Sequence, residues 1–447
     1  MKRILILTLA CASLGLSQQQ SDILIKLTGG TTRSIAIPDF RGAGESQPFM
    51  DAFNSTLWSE IQNAGVLKMA PKSFYPLDIP QQPRDLRAPE GNRGCNGRCL
   101  ADWAGKPVEA NYVAIGYAAA QNGQFVIFGY LYNTGVPDLA GAQVFNKFYL
   151  GPLSEDGARK TAREFAADIL GQFGAKGLAG SKIYFVREQP RGVKEIWVMD
   201  YDGSNQRRLT SYNSTSITPA VSPDGSRLAF TSYAKGMPRI FLHSLETNRY
   251  MPFLNPQASM NATPAFTPDG QQILFSSTLS GFAQIYISQL DGSNLRRVSN
   301  IRAIEVEPKI NPKTGTDMVF VSGRGGLQQI YRMNLDGADA VRLTTGEGEA
   351  SNPSWHPDGQ HIAFSWTRGF APGNWNVFIM DVASRETVQL THGTGRNENP
   401  NWAPDGRHLV FASNRNGSMQ IYSMLADGTE IRQLTSQGIN TMPVWGK

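Results

Sequence analysis

A sequence unit of about 45 residues recurs along the C-terminal part of the chain, and this periodicity constrains the fold more than any other feature. The prolines that begin successive copies stand at positions 219, 264, 308, 353 and 400. Four copies then carry a Pro-Asp-Gly tripeptide and a short apolar segment that ends in Phe, as in Pro357-Asp358-Gly359 and Ile362-Ala363-Phe364. The third copy, from Pro308 to Phe320, is degenerate. A period of this length is typical of a β-propeller blade.

Each unit contains signals for four short strands. Pro-Asp-Gly predicts a tight turn between the first two strands, because Pro presets φ and Gly accepts a positive φ. A second turn, usually Asp-Gly, joins the last two strands. The third strand contains a β-branched residue followed by an aromatic residue, and this pair occurs six times, which predicts six blades. The six pairs are Ile196-Trp197, Ile240-Phe241, Ile285-Tyr286, Ile330-Tyr331, Val377-Phe378 and Ile421-Tyr422.

The two ends of the repeat array complement each other. The first unit starts directly at its second strand, Ile183-Tyr184-Phe185, and lacks the strand that contains proline. That missing strand is found at the C-terminus as Met442-Pro443-Val444-Trp445. We therefore expect the C-terminal strand to become the innermost strand of the first blade and to close a ring. An open solenoid would not divide one repeat between its ends.

The residues before the repeat predict a separate α/β domain. Gln47 to Ala64 has apolar residues at helical spacing, and Ser154 is an expected N-cap for a helix reaching Phe173. Asp22 to Leu27 and Ser34 to Phe40 are expected strands. Two alternating segments flank Asn122-Gly123, a hairpin turn dipeptide, and 143–150 is expected to add a strand. The predicted fold class is thus an α/β N-terminal domain at 18–175, followed by an all-β six-bladed β-propeller at 181–447.

The first 17 residues have the layout of a secretory signal peptide. Lys2 and Arg3 precede an apolar run from Ile4 to Ala12, and small residues follow up to an expected cleavage site after Ser17. Lipidation at Cys11 is a less favoured alternative. The mature chain is therefore expected to be exported and soluble. The net charge of the full sequence is +5, of which Lys2 and Arg3 supply two charges, and there is no basic run, so a nucleic-acid partner is not expected.

After cleavage, Cys95 and Cys99 are the only cysteine pair. They stand in a loop-like sequence, and in an oxidising compartment such a pair can form a disulfide. We predict that disulfide, the alternative being two free thiols. Two cysteines without a nearby histidine make a poor metal site.

The sequence does not indicate catalytic chemistry. It contains no Gly-x-Ser-x-Gly motif, and the aspartates of the Pro-Asp-Gly turns recur once per unit, as expected of a structural role. His356 and His361 flank one turn and could supply two metal ligands, but surface histidines are the favoured interpretation. No catalytic, cofactor-binding or metal-binding residues are therefore predicted.

One set of loops could instead form a docking face for a protein partner. In propeller geometry, the loops between second and third strands share a face with the loops that lead into the proline strands. These loops combine arginines with polar and apolar residues around the channel, although solvated loop charges are an equal alternative. The expected partner-binding residues are Met260, Asn261, Thr263, Val306, Glu307, Arg324, Asn352, Arg368, Asn399 and Arg415.

The whole arrangement resembles the TolB family of the Tol-Pal system. The family's Pro-x-Trp-Ser-Pro-Asp-Gly-x-x-Leu-Ala-Phe repeat is nearly intact at 353–364 and 400–411. Residues 27–30 and 34–40 resemble the start of its N-terminal domain. The degenerate third copy and the Cys95/Cys99 loop depart from the family pattern.

The resemblance implies a non-catalytic, cofactor-free, monomeric protein of the periplasm. It implies that the chain links the lipoprotein Pal to TolA, for outer-membrane integrity and for constriction at cell division, and meets the membrane only through these partners. Pal is expected at the loop face of the channel, and TolA at the mature N-terminus, Gln18 to Gly30. The alternative is a periplasmic propeller hydrolase or lyase that acts on peptide or sugar in the channel.

Overall fold

The computed structural model describes residues 33–88, 95–393 and 395–447. Within them the chain forms two compact units that divide between Ala179 and Gly180. The expected signal peptide, the mature N-terminus at 18–30 and an expected strand at 22–27 lie outside the described residues. None of the helices in the described residues is both long and apolar enough to cross a membrane. The predicted fold class, an α/β domain followed by a six-bladed propeller, is confirmed.

The first unit is a mixed sheet with helices packed on it. Its strand order is β3-β1-β4-β5-β6, and β2 pairs with β4. The strands are β1 Arg33–Ala36, β2 Arg41–Gly42, β3 Leu67–Met69, β4 Tyr112–Gln121, β5 Gln124–Asn133 and β6 Gln143–Pro152. The helices are α1 Met50–Ala64, α2 Leu100–Ala104, α3 Leu139–Ala142 and α4 Glu155–Gly171. Short 3-10 helices span Gly44–Phe49, Lys72–Phe74 and Pro83–Asp85.

Two helices, α1 and α4, cover one face of this sheet. Phe53 and Leu57 of α1 and Phe165 of α4 are fully buried in one apolar cluster with the sheet. Gly129 of β5 permits this packing, because a Cβ there would lie 2.8 Å from the ring of Phe165. The predicted N-cap is confirmed, since Ser154 Oγ accepts a hydrogen bond from the backbone N of Gly157 at 3.2 Å. The strand expected at 34–40 is shorter and ends at Ala36, because Pro38 lacks the N–H that a sheet requires.

Cys95 and Cys99 are joined in a disulfide that precedes α2, with their Cα atoms 5.3 Å apart. The carboxylate of Asp102 fixes the same loop by accepting the backbone N–H of Cys95 at 3.1 Å and of Gly97 at 2.7 Å. The loop geometry therefore has hydrogen-bonded support that does not depend on the sulfur–sulfur bond.

We expect the disulfide to add little to thermal stability. It closes a very short loop, so it removes little entropy from the unfolded chain. Replacing both cysteines by serine should lower the Tm by only a few degrees. Mass spectrometry after alkylation of the native protein checks the bond itself, and two alkylated thiols would contradict it.

The second unit is the propeller, which in residues 180–447, apart from 394, contains six antiparallel sheets of four strands. Within each sheet, consecutive strands pair from the channel outwards. Blade 1 contains β7 Lys182–Glu188, β8 Lys194–Asp200 and β9 Arg207–Arg208, with a 3-10 turn at Pro190–Gly192. Blade 2 contains β10 Ser216–Val221, β11 Arg227–Ser232, β12 Arg239–Ser244 and β13 Arg249–Met251. Blade 3 contains β14 Asn261–Phe266, β15 Gln272–Ser277, β16 Gln284–Gln289 and β17 Arg296–Arg297.

The remaining blades repeat this pattern. Blade 4 contains β18 Glu305–Ile310, β19 Asp317–Ser322, β20 Gln329–Asn334 and β21 Val341–Arg342. Blade 5 contains β22 Ala350–Trp355, β23 His361–Trp366, β24 Asn376–Asp381 and β25 Thr387–Gln389. Blade 6 contains β26 Asn397–Trp402, β27 His408–Ser413, β28 Gln420–Leu425 and β29 Arg432–Gln433. The last strand, β30 Ile439–Gly446, completes blade 1.

The pairing of β30 closes the ring. It runs antiparallel to β7, with Thr441 opposite Val186 and Trp445 opposite Ile183. It also contacts the innermost strands of both neighbouring blades, β26 and β10. The backbone N of Trp445 donates to Oδ1 of Asn401 in blade 6 at 2.8 Å, and its indole N donates to Ser181 at 2.9 Å.

The blades pack on one another through large side chains of their second strands. Five phenylalanines at one repeat position are fully buried. They are Phe230, Phe275, Phe320, Phe364 and Phe411. This core holds the innermost strands in a ring and so fixes the geometry of the channel between them.

Candidate functional site

The channel wall is built from one unusual backbone position in each blade. In every innermost strand, the residue before the repeated proline has a positive φ between 50° and 57°, and the pairing register shifts there. Such a bulge lets a strand pass through a proline without losing its register on both sides. The six residues are Thr218, Thr263, Glu307, Asn352, Asn399 and Met442.

These bulges line a pocket at the centre of the propeller, between the innermost strands. The lining consists of Thr, Asn, Pro, Met and Val side chains, except where blade 4 contributes Glu307 and Lys309. The carboxylate of Glu307 accepts hydrogen bonds from the backbone N of Asn352 at 2.7 Å and from its amide at 3.1 Å. Burial nevertheless raises the pKa of Glu307, and burial lowers the pKa of Lys309. The channel therefore combines a largely neutral wall with one ionisable pair.

Two kinds of connection share one face of the ring, which we call the loop face. They are the connections between second and third strands, and the connections from one blade to the next. Backbone hydrogen bonds join them: Asn261 N donates to Pro238 O at 3.0 Å, and Glu305 N donates to Ala283 O at 2.8 Å. The Pro-Asp-Gly turns lie at the other end of the innermost strands, on what we call the turn face.

Most of the predicted partner-binding residues lie deeper than expected. They were expected in loops that lead into the proline strands, but the innermost strands of blades 2 to 6 begin three residues before the proline. Asn261 is fully buried, and Met260, just before β14, is half-buried. The rest of this set is partly exposed within the strands, at Thr263, Val306, Glu307, Asn352 and Asn399. The bulge is the physical reason, because it continues the sheet pairing past the proline.

The predicted arginines fold back onto their own blades. The guanidinium of Arg415 lies 4.9 Å from the ring centre of Tyr422, and its Nη2 donates to Oδ1 of Asn397 at 2.9 Å. Arg324 lies equally close to Tyr331 and forms an ion pair with the fully buried Glu305. These two side chains are thus partly buried and hold the start of an innermost strand.

Two further arginines also lie over aromatic rings of their own blades. Arg368 stacks over Trp366 at 5.0 Å but is exposed. Arg187 of blade 1 repeats the arrangement, with its guanidinium 4.2 Å from the ring centre of Trp197 and its Nε donating to Asn440 at 2.8 Å. Sequence reasoning missed Arg187 because it stands two positions earlier in its unit, within the second strand.

An exposed group of large apolar side chains covers the loop face over blades 2 to 4, and we call it the apolar arc. Its members are between 40% and 56% exposed. Backbone hydrogen bonds join neighbouring loops that carry these side chains, since Thr278 N donates to Met260 O and Gly323 N donates to Ile304 O. The arc consists of Tyr233, Met237, Leu279, Phe282, Ile301, Ile304 and Leu327.

The other half of the loop face has a different character. The corresponding connections of blades 5 and 6 expose Arg368, Arg396 and Asn416. Contiguous exposed apolar surface is uncommon on soluble proteins and marks interaction sites when it is large. The sequence shows the residues of the arc but not their exposure, so it could not be distinguished from core. The geometry as a whole favours binding of a partner surface over the chemistry of a reaction.

Comparison with known proteins gives a consistent result. A family model described as the TolB beta propeller domain matches residues 173–369 and 346–447. A protein TolB homolog from Chlorobium chlorochromatii is 33% identical over 31% of this chain and 30% of its own length. The Tol-Pal system protein TolB from Cereibacter sphaeroides is 28% identical over 52% of this chain and 49% of its own length. The chain thus spans about half or less of the length of the curated relatives it matches.

A solved structure extends the likeness to the whole fold. The crystal structure of TolB from Acinetobacter baumannii superposes with a TM-score of 0.76 at 22% sequence identity. The superposition covers 93% of this chain and 97% of the other. At this level of identity the likeness describes the fold, and both the α/β unit and the propeller share in it.

Proposed function

Because the chain belongs to the TolB beta propeller family, we propose that it is a component of a Tol-Pal system and acts by binding other proteins. In this role it is exported to the periplasm under the direction of residues 1–17 and has no catalytic activity. It links the lipoprotein Pal, bound at the loop face, to TolA, bound by residues 18–30. The link serves outer-membrane integrity and constriction at cell division. The name of the Cereibacter sphaeroides relative, a Tol-Pal system protein, supports the assignment.

The apolar arc is the observation that carries the proposed docking. Its side chains lie in the loop-face connections of blades 2 to 4, together with the exposed Lys235 and Arg302, whereas the connections of blades 5 and 6 expose Arg368, Arg396 and Asn416. Protein interfaces commonly combine an apolar centre with a polar rim. A partner that covers the arc would also reach Met260 and Val306, which are partly exposed between the arc and the channel.

One observation favours the alternative, an enzyme whose active site lies in the channel. Glu307 and Lys309 are the kind of asymmetric ionisable pair that catalysis would need, and both have displaced pKa values. The carboxylate of Glu307, however, is held by the backbone and amide of Asn352 and by Ser351 at 3.3 Å. Through these hydrogen bonds Glu307 links blade 4 to blade 5, which is a structural role. A turnover assay with peptidoglycan fragments and oligosaccharides tests the alternative.

Charged substitutions in the arc should abolish capture of Pal without unfolding the ring. Phe282→Arg and Ile304→Arg each place a charge where a partner would remove water, which is costly for an unpaired charge. We expect each to weaken Pal binding by about 30-fold or more, the loss of a hot spot of about 2 kcal/mol. Met260→Arg and Val306→Arg should act in the same direction. Calorimetry with purified Pal measures the change.

The turn face offers matched controls for this experiment. Gln271→Arg and Thr247→Arg add the same charge at exposed positions beside turns on the opposite face. They should bind Pal like the unmodified protein, and all variants should retain its Tm. If variants on both faces bind Pal equally well, Pal does not dock at the arc.

A further inference from the structure

The turn of blade 5 brings two histidines and an aspartate together on the turn face. Nδ1 of His356 lies 2.9 Å from Oδ1 of Asp358, and Nδ1 of His361 lies 2.7 Å from Oδ2 of the same carboxylate. The interpretation of these histidines as surface residues is wrong, because their side chains are only 12% and 3% exposed. One ligand atom from each of the three residues lies within 4.8 Å of the others. Three potential metal ligands therefore converge in one rigid turn.

The hydrogen bonds of His356 leave its Nδ1 lone pair directed at this cluster. Its Nε2 lies 2.7 Å from the carbonyl oxygen of Gly406, which can only accept a hydrogen bond. The ring proton is therefore on Nε2, and the lone pair of Nδ1 accepts the backbone N–H of Asp358 at 3.1 Å, a contact that a bound ion would replace. Histidines that bind metals usually donate their other N–H to a carbonyl or carboxylate in this way.

His361 has a second partner placed on its far side. Its Nε2 is buried and has no hydrogen-bond partner among the described residues, and Oδ2 of Asp381 is 3.6 Å away. A cation bound at Nδ1 would move the ring proton to Nε2, where it would face Asp381. The buried N–H would then face a carboxylate, as in the carboxylate–histidine–metal arrangement, and a direct hydrogen bond would require the two groups to move closer than their present 3.6 Å.

We propose that His356, Asp358 and His361 bind one divalent transition-metal ion, for which Zn²⁺ is the best match. Two imidazoles and a carboxylate are ligands that Zn²⁺ prefers, and three protein ligands leave a fourth position for water. Asp358 is 31% exposed, so water and the ion can reach the site from the turn face. Burial disfavours the charged form of Asp358, but the two histidines more than offset this and hold its pKa well below the usual range.

Blade 6 provides an internal comparison. Asp405 and His408 repeat the second half of the cluster, with Nδ1 of His408 2.7 Å from Oδ2 of Asp405. Ala403 stands where blade 5 has His356. The Asp–His pair therefore recurs in the turns of blades 5 and 6. Only blade 5 adds His356, which supplies a third potential ligand. Since Nε2 of His356 contacts Gly406 of blade 6, the bound ion would also strengthen the junction between the two blades.

Calorimetry of the full untagged chain with Zn²⁺ tests the proposal. We expect one ion per chain with a dissociation constant in the micromolar range or below, and a rise in Tm on saturation because only the folded state forms the site. His356→Gln should weaken binding by about 100-fold or more. His392→Gln, which changes an exposed histidine outside the cluster, should bind Zn²⁺ normally.

Spectroscopy keeps the test decisive if a variant folds poorly. Co²⁺ added to the unmodified protein should give a visible absorption spectrum of four-coordinate geometry that Zn²⁺ abolishes. Binding of less than one Zn²⁺ per unmodified chain would overturn the proposal. So would unchanged Zn²⁺ affinity in a folded His356→Gln variant.

Discussion

A chain that ends at Ser436 should lose most of its folding stability and should fail to form a closed ring. The deletion removes β30, which supplies the innermost strand of blade 1 and contacts β26 and β10 on either side. It also removes Trp445, which is 6% exposed. Truncating a buried Trp to Ala costs about 3–5 kcal/mol by itself. The total free energy of unfolding of a typical domain is only about 5–15 kcal/mol.

Thermal unfolding followed by circular dichroism measures this effect. Trp445→Ala is a milder variant for comparison, because it keeps the strand and removes only the packed side chain and its hydrogen bond to Ser181. It should melt between the full chain and the truncated chain. An unchanged Tm for the chain ending at Ser436 would show that β30 does not hold the ring closed.

Arg324→Met should destabilise the propeller by about 3–5 kcal/mol, which corresponds to a fall in Tm of roughly 10 °C. Arg324 is the ion-pair partner of Glu305, whose side chain is fully buried. Oε2 of Glu305 has no hydrogen-bond partner among the described residues, so the arginine is its main compensation. Removing the cation would leave an unpaired charge in the core of blade 4.

Blade 6 supplies the matched control. Arg415→Met removes the same stacked guanidinium, but its partner there is the neutral amide of Asn397, so the loss should be less than half as large. Combining Arg324→Met with Glu305→Gln should recover most of the lost stability, because no buried charge remains. Equal destabilisation by the two arginine variants would argue against the buried-charge explanation.

The spacing of the repeat predicted the blades well because each blade needs the same turns. Pro-Asp-Gly and Asp-Gly fix where strands reverse, and the missing first strand of the unit that begins at Ser181 pointed to Met442 to Trp445. The helix that begins after Ser154 was equally predictable from the sequence, since an N-cap is an interaction between residues close together in the chain. These features depend on short-range chemistry, which a sequence displays directly.

The binding face was harder to read because it depends on long-range geometry. The positive φ at Thr218 or Thr263 is disfavoured for β-branched residues, so no local rule predicted the bulge that draws 260–263 into a strand. The apolar arc combines residues from three blades, and nothing in the sequence separates exposed Phe282 from buried Phe275. A signal for the buried ion pair was present, since Glu305 stands where other blades have Ser, Asn or Ala.

The division of blade 1 between the first and last strands of the propeller also sets the order in which the propeller can be completed during synthesis. β7 ends at Glu188 and its partner β30 begins at Ile439, so roughly 250 residues must be translated between them. At about 5–20 residues per second, the ribosome needs about 10–50 s to supply that partner. During this interval the inner edge of β7 has no native neighbour. The ring of the propeller can therefore close only after residues 439–446 have left the ribosome.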